Sequence, residues 1–158
     1  MSFWSTYLGK ILTTFFISMV PVIELRGAVP IAYARGINIW VAVAVSILGN
    51  LVPVPFIIVF IRKIFAFIRR HMPKLDCLVT KLERRAESKG DTVQKYAFWG
   101  LFLFVAIPLP GTGAWTGALI AAMLDMRLKK AFPSIALGVL CAGIVVAFIT
   151  CGADALFF

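Results

Sequence analysis

The chain has 158 residues, of which 61% are hydrophobic and 15% are charged, and its mean hydropathy is +0.97. This composition leaves too little polar surface to cover a soluble globule, so the sequence predicts an all-α integral membrane protein. The net charge of +9 does not indicate nucleic-acid binding. Most Lys and Arg residues lie between hydrophobic segments, where such residues orient membrane helices.

The first hydrophobic segment, residues 8–35, is interrupted near its middle by Pro21, Glu24, Arg26 and Gly27. A charged residue at mid-membrane depth costs on the order of 3 kcal/mol, so this interruption does not fit a plain span. An apolar arm of about 13 residues forms roughly 20 Å of helix, which reaches past the midplane of a bilayer without crossing it. The segment therefore predicts a re-entrant hairpin.

Residues 39–61 are apolar and long enough to predict a full transmembrane helix, since roughly 20 apolar residues cross a bilayer. In residues 62–95, Lys and Arg outnumber Asp and Glu, and apolar residues recur at helical spacing from Leu75 to Leu82. This pattern predicts a basic, amphipathic loop that lies on the cytoplasmic membrane surface.

The second half repeats this order of features. Residues 97–126 are interrupted by the uncharged segment Pro108–Gly117, and residues 132–150 predict a second full span. The basic cluster Arg127–Lys130 stays cytoplasmic only if residues 97–126 form a re-entrant hairpin. The alternative is four plain spans in which Pro and Gly only introduce kinks.

The two halves predict an inverted repeat, each with one re-entrant helical hairpin and one full span. We expect a single membrane domain over residues 1–158, with repeats at 1–61 and 96–158. Pro21 aligns with Pro108, and the Leu-Gly-x-Leu pattern at residues 48–51 recurs at 137–140. Interrupted segments at matching places in two halves point to a substrate site at the repeat interface.

Oligomerisation follows from the small number of spans. Few helices enclose a pathway, so we expect a homo-oligomer, most simply a dimer. Gly138 and Ala142 form a small-residue stripe of the kind that lets membrane helices pack closely. This stripe is a candidate contact between copies of the chain.

The first interruption supplies two charged candidates for substrate binding. Arg26 would hold an anionic headgroup through bidentate hydrogen bonds, and Glu24 would orient the headgroup or carry a proton. Gly27 would let the backbone turn so that both side chains point inward. The alternative is an ion pair that only fixes the turn.

The second interruption supplies small and polar residues. Backbone amides at Gly111, Thr112, Gly113 and Ala114, just before a predicted helix, would bind an anion through free N–H groups and the helix dipole. The alternative is that the glycines permit close packing while Thr112 and Thr116 satisfy free carbonyls.

Three further residues are candidates with less support. Trp115 would stack on the substrate, or it would pack at the tip. Asn50, which precedes Pro53, would line the pathway or accompany a bend. Arg35 would mark the external membrane boundary or contact a headgroup.

The segments ELRGAVPIA (24–32) and PLPGTGAWTGA (108–118) resemble the putative small multidrug export protein family of prokaryotes, over nearly the whole chain. The resemblance implies drug export. The paired hairpins are also similar in architecture to the DedA/VTT superfamily and to undecaprenyl-phosphate carriers, which implies movement of an anionic lipid. The chain is shorter than DedA proteins and lacks acidic residues at its second tip, so only Glu24 matches a proton-coupling role.

We therefore expect a small transporter of the prokaryotic inner membrane, surrounded by membrane lipids. It would move an anionic or amphipathic substrate, preferably a lipid-linked phosphate such as a polyprenyl phosphate, by alternating access where the hairpins meet. The alternatives are proton-coupled efflux of cationic amphiphiles through Glu24 and a non-transporting assembly subunit. We expect no enzyme, metal or cofactor, because the single histidine, His71, lies in the basic loop, far from either tip.

Overall fold

A computed structural model describes residues 6–71, 90–109 and 111–157, and this part of the chain is helical without strands. Its seven helices are α1 (Tyr7–Met19), α2 (Glu24–Ala34), α3 (Ile39–Leu51), α4 (Pro53–His71), α5 (Gly90–Ala106), α6 (Ala114–Met123) and α7 (Leu128–Phe157). The amphipathic pattern predicted for residues 75–82 lies outside the described residues.

The first interrupted segment forms two short helices, α1 and α2, joined by a turn at residues 20–23. Asn38 caps the next helix, because its Oδ1 accepts a hydrogen bond from the Trp40 backbone N–H at 3.0 Å. A side-chain oxygen at this position satisfies one of the free amides at a helix start. Helix α3 then packs against α1 and α2.

The predicted span at 39–61 is divided between α3 and α4, which meet at Val52 and Pro53. Proline has no N–H to continue the helical hydrogen bonds, which explains a break at this place. The apolar stretch Ile39–Ile64 is nevertheless long enough to cross a membrane. The predicted span at 132–150 lies within Leu128–Ala155, the second stretch with that length and composition.

The second half has the same order of elements: α5, irregular backbone at residues 107–109 and 111–113, α6 and the long helix α7. A Cβ at Gly138 would come within 2.7 Å of Val105 Cβ and 3.0 Å of the Phe102 carbonyl oxygen, both on α5. Ala142 is buried as well. The prediction that this small-residue stripe packs against a second copy is therefore wrong, because α5 covers it within the chain.

The turn that follows α2 and the turn that follows α6 have the same hydrogen bonds. In each, one residue with positive φ ends the helix, Gly36 at 81° and Asp125 at 49°. The next residue is a buried hydrophobe, Ile37 or Met126, whose N–H bonds to a carbonyl five residues earlier. This is the Schellman arrangement, and it starts α3 and α7 in the same way.

Large apolar side chains cover much of the exterior, among them Phe16, Phe56, Phe60 and Phe148, each at least 60% exposed. Buried residues from α2, α3, α4, α5, α6 and α7 meet in one apolar core. Soluble monomers rarely expose so much apolar surface. The exterior therefore fits a hydrocarbon environment.

Candidate functional site

The two interrupted segments contact each other inside the fold. The first turn of α2 carries Glu24 and Arg26, and both side chains reach the stretch between α5 and α6. Residues that are more than 80 positions apart in sequence thus form one site. Bringing the tips together is what the inverted-hairpin hypothesis requires.

Glu24 lies at the N-terminus of α6. Its side chain is buried, and Oε1 accepts a hydrogen bond from the Trp115 backbone N–H at 3.4 Å. The carboxylate also lies so close to Gly113 that a Cβ there would overlap it. A carboxylate is favourable at this helix end because it faces free N–H groups and the positive end of the dipole. The helix end predicted to bind a substrate anion therefore holds the protein's own carboxylate at Trp115, while the Thr112 N–H donates to the Leu109 carbonyl oxygen at 3.1 Å.

Arg26 lies on the carbonyl side of the same stretch. Its Nη2 donates to the Thr112 carbonyl oxygen, to Thr112 Oγ1 at 3.1 Å and to the Ile107 carbonyl oxygen at 3.5 Å. These carbonyls follow the end of α5, where helical partners are absent. Within the described residues no salt bridge joins Glu24 to Arg26. Each charge instead meets backbone groups of opposite polarity on the other segment.

Two residues of the second segment make further hydrogen bonds at this site. Trp115 donates its indole N–H to the Met19 carbonyl oxygen at 3.0 Å, near the end of α1. The Thr112 hydroxyl donates a hydrogen bond that is shared between the carbonyl oxygens of Ile107 and Leu109, at 2.7 and 2.9 Å. The predicted alternative, in which Thr112 satisfies free carbonyls, agrees with this geometry. Helical breaks in a membrane protein are tolerated when such partners are present.

Gly27 does not make the turn that the sequence analysis expected. The turn precedes Glu24, which itself has a φ of 49°, and Gly27 lies inside α2. A Cβ on Gly27 would collide with the Ile23 side chain. The glycine therefore makes room beside the turn and does not form it.

The other candidate residues lie around the contacts that Glu24 and Arg26 make with the second segment. Ala114 is fully buried at the start of α6, Thr116 is half-buried in the first turn of that helix, and Gly111 is exposed with a φ of 88°. Arg35 is exposed after α2, and its carbonyl oxygen accepts from Lys10 Nζ at 2.7 Å. Asn50 is fully buried in α3. The structure does not bring Arg35 to the tips.

A cavity of about 290 Å³ lies beside Arg26. Its other lining residues come from α2, the interrupted stretch and α7: Pro30, Pro108, Val146, Ile149, Thr150 and Ala153. A wider cavity of about 940 Å³ shares Thr150 and Ala153 and extends to the turn after α2. The guanidinium group therefore borders a largely apolar space that continues toward one end of the molecule.

Hydrogen bonds cross between the halves at both ends of the molecule. At the end with the wide cavity, Tyr33 donates its hydroxyl to Asp154 Oδ2 at 2.9 Å. At the other end, Arg62 Nη2 lies 3.0 Å from Asp125 Oδ1 and donates to the Met126 carbonyl oxygen at 2.5 Å. Sequence reasoning missed these contacts, because Tyr33 and Asp154 belong to different halves and carry no motif.

Comparison with known proteins identifies the family. Residues 24–145 match the family described as "Putative small multi-drug export protein". The chain belongs to this family. The match begins at Glu24 and includes the Arg26 contacts, α6 and most of α7. No curated protein and no solved structure matches the chain.

The small multi-drug export family name points to a transporter rather than an enzyme. Membership agrees with the apolar helices and with the prediction of a membrane protein that moves a substrate. Within the described residues, no cluster of His, Cys, Asp and Glu is suited to hold a metal ion.

Proposed function

We propose that the protein transports an anionic amphiphile across the membrane and that Arg26 binds its headgroup. The preferred substrate class is a lipid-linked phosphate such as a polyprenyl phosphate. The apolar tail would lie along α7 at Val146 and Ile149. The observation that carries this proposal is the position of one guanidinium group at the edge of a largely apolar cavity.

The chemistry of Arg26 favours an anion at this place. The guanidinium group uses Nη2 for backbone contacts, and its Nε is buried without a hydrogen-bond partner in the described part of the chain. Arginine offers donors in a planar fork that matches phosphate and carboxylate oxygens. A headgroup oxygen would satisfy this N–H group once the side chain turns it toward the cavity.

Glu24 provides a way to release the substrate headgroup from the site. Its carboxylate faces the α6 N-terminus, where the amides at Gly113 to Trp115 would otherwise favour a substrate anion. We propose that headgroup and carboxylate exchange at these amides during the transport cycle, with Glu24 as the coupling or orienting group. Binding the headgroup at both Arg26 and the amides would then require Glu24 to move away.

The architecture supports alternating access between two inverted repeats. The matching turns after α2 and α6, and the matching close contacts at Gly49 and Gly138, support the repeat. The turn between α1 and α2 meets the stretch between α5 and α6, which supports two hairpins that enter the membrane from opposite faces. Cross-half contacts at Tyr33 and at Arg62 would close alternately.

We further propose that the protein resides in a prokaryotic inner membrane, with residues 62–95 in the cytoplasm, and acts as a homodimer. The orientation follows from the excess of Lys and Arg in residues 62–95, because cytoplasmic loops of membrane proteins are enriched in these residues. The dimer interface would use exposed apolar surface such as that at Phe56 and Phe60, because the Gly138 stripe is already covered.

Native mass spectrometry tests the headgroup proposal. The purified protein in mild detergent should retain an anionic lipid, and Arg26→Ala should lose it while Glu24→Gln keeps it. Arg127→Ala is the matched control, since this arginine is exposed in the turn after α6 and does not line the cavity beside Arg26. Retention that does not depend on Arg26 would contradict the proposal.

A second candidate is proton-coupled efflux of a cationic amphiphile. The buried Glu24 carboxylate and the Asp154 carboxylate at the wide cavity favour it. This reading predicts that Glu24→Gln abolishes transport and that Arg26→Ala spares it. An assembly subunit without transport activity would tolerate both changes.

A further inference from the structure

Buried polar side chains are concentrated in the first three helices. The described residues include six buried polar or charged side chains: Thr14, Ser18, Glu24, Ser46, Asn50 and Ser134. All except Ser134 lie on α1, α2 or α3. Because a buried polar group is costly unless it is hydrogen-bonded, those of the five that lack partners require an explanation.

Ser46 and Asn50 lie on the side of α3 that faces α2. They are four residues apart, so they share one helix face. Gly49 marks the edge toward α1, where a Cβ would meet the Phe15 carbonyl oxygen. Val43 and Ile47 mark the edge toward α7, because a Cβ on Gly143 would come within 3.2 Å of both. The two polar residues lie between these edges. Helix α2 packs against α3, and Ala42, one turn before Ser46 on the same face, shares a buried cluster with Ala32 of α2.

Asn50 lies at the same depth as Glu24. Helices α2 and α3 run in opposite directions from a short turn, and Ala32 and Ala42 pack in one cluster near that turn. Glu24 precedes Ala32 by the same number of residues as Asn50 follows Ala42. Equal lengths of helix therefore place residues 24 and 50 at the same level of the fold.

Polar atoms on this face of α3 lack hydrogen-bond partners among the residues that the structure describes. Asn50 Nδ2, Asn50 Oδ1 and Ser46 Oγ are buried, and none of them has a hydrogen bond in that part of the chain. Thr14 and Ser18 donate their hydroxyl protons to carbonyl oxygens of α1, so their remaining lone pairs are acceptors. An unpaired buried polar group costs about 1–3 kcal/mol, so the group favours a small polar ligand.

The second half shows that the fold does not need these groups. The close contact of Gly49 with Ser18 corresponds to the close contact of Gly138 with Val105. Ile135 and Val139 are as far from Gly138 in sequence as Ser46 and Asn50 are from Gly49, so they occupy the equivalent positions. Val105, Ile135 and Val139 are all buried hydrophobic residues. The same packing is thus achieved with a dry core.

We propose that Thr14, Ser18, Glu24, Ser46 and Asn50 form the site for the coupling ion. The ligand would be a small monovalent cation, either Na⁺ or a proton carried by water. The site offers oxygen acceptors and one negative charge, and Arg26 is the charge acting on Glu24. Arg26 is directed to carbonyl groups of the second segment, so it does not neutralise the site by direct contact.

Binding of a cation would neutralise Glu24 and weaken its hold on the α6 N-terminus. For a proton, a water in the site gives its proton to the Glu24 carboxylate and regains one from solvent. Either ion would thus favour exchange of Glu24 for the substrate anion. This coupling rests on the proposed function, whereas ion binding itself does not.

Ion binding is tested on the purified full-length protein without a transport assay. In the Na⁺ arm, the unfolding midpoint is followed while NaCl replaces choline chloride at constant ionic strength. In the proton arm, infrared spectroscopy follows hydrogen–deuterium exchange of the protonated Glu24 side chain, identified by its absence in Glu24→Gln. Asn50→Val and Ser46→Ile introduce the residues that the second half uses, and Ser134→Ala is the matched buried-serine control.

We expect Asn50→Val to weaken Na⁺ binding, or to slow the exchange, by about tenfold or more, corresponding to a loss of about 1.4 kcal/mol. Ser134→Ala should behave as the wild type, because Ser134 donates to the Phe98 carbonyl oxygen on α5. Ser46→Ala, which removes one hydroxyl, gives the same test if the larger changes prevent folding. Wild-type behaviour in both arms for Asn50→Val and Ser46→Ala would overturn the proposal.

Discussion

Replacing Gly113 by Ala tests whether Glu24 really occupies the N-terminus of α6. The backbone at Gly113 is extended, with φ −130° and ψ −169°, so alanine adopts it without strain. The added methyl group would overlap the Glu24 carboxylate. The three atoms nearest to that methyl group all belong to this carboxylate, so we expect the cost of the substitution to come from this contact.

The magnitude follows from two contributions. Overpacking costs about 1–3 kcal/mol, and moving an acceptor away from a helix N-terminus costs about 0.5–2 kcal/mol, so Gly113→Ala should cost roughly 1.5–5 kcal/mol. For a protein of this size, that loss lowers the unfolding midpoint by roughly 3–20 °C. The assay is thermal unfolding of the purified protein in detergent.

Two companion variants isolate the contact. Gly100→Ala on α5 introduces a methyl group with nothing within 4 Å, and it should leave stability unchanged or raise it by about 0.5–1 kcal/mol. In a Glu24→Ala background, Gly113→Ala should cost less than about 1 kcal/mol, because the overlapping carboxylate is gone. An equal cost with and without Glu24, or no cost at all, would refute the geometry.

Three further predictions use the same unfolding assay. Gly49→Ala should destabilise by about 1–3 kcal/mol, because its methyl group would collide with α1; wild-type stability would contradict this packing. Trp115→Phe removes the indole N–H that bonds to Met19 and should cost about 1 kcal/mol, and an unchanged midpoint would show that the bond contributes nothing. Asn38→Ala removes the cap of α3 and should also cost about 1 kcal/mol, whereas Asn38→Ser should recover most of it.

Hydrophobic pattern predicted the helices well because the pattern itself determines burial. The two interruptions, the helix start at Ala114 and the second long apolar helix all follow from runs of apolar residues and from Pro and Gly. The break between α3 and α4 was predicted less well. Asn50 and Pro53 suggested a bend as one alternative, but the length of the apolar run favoured a single uninterrupted helix.

The partners of the site residues were not predictable from sequence spacing. Glu24 and Arg26 stood out because charge is costly in a membrane, yet their contacts lie on the other segment. Only the folded chain shows that the carboxylate meets amides and the guanidinium meets carbonyls. Their nearness in sequence suggested an ion pair, and the backbone groups of the second segment compete for them successfully.

The stripe at Gly138 illustrates a different limit. Small-residue spacing predicts close packing but does not say which helix provides the partner. The structure assigns α5 as that partner, through Phe102 and Val105. Of the buried polar residues on α1 and α3, Asn50 was a candidate from sequence, whereas Thr14, Ser18 and Ser46 were missed because Ser and Thr are common in membrane helices.

The central claim, that Arg26 binds an anionic amphiphile for transport, is tested most directly by translocation in proteoliposomes. The assay would follow a radiolabelled short-chain prenyl phosphate and a cationic dye, with the wild type, Arg26→Ala and Arg127→Ala reconstituted at equal density. The proposal predicts translocation of the phosphate by the wild type and Arg127→Ala and its loss in Arg26→Ala. Phosphate movement that is independent of Arg26, or movement of the cationic dye alone, would contradict it.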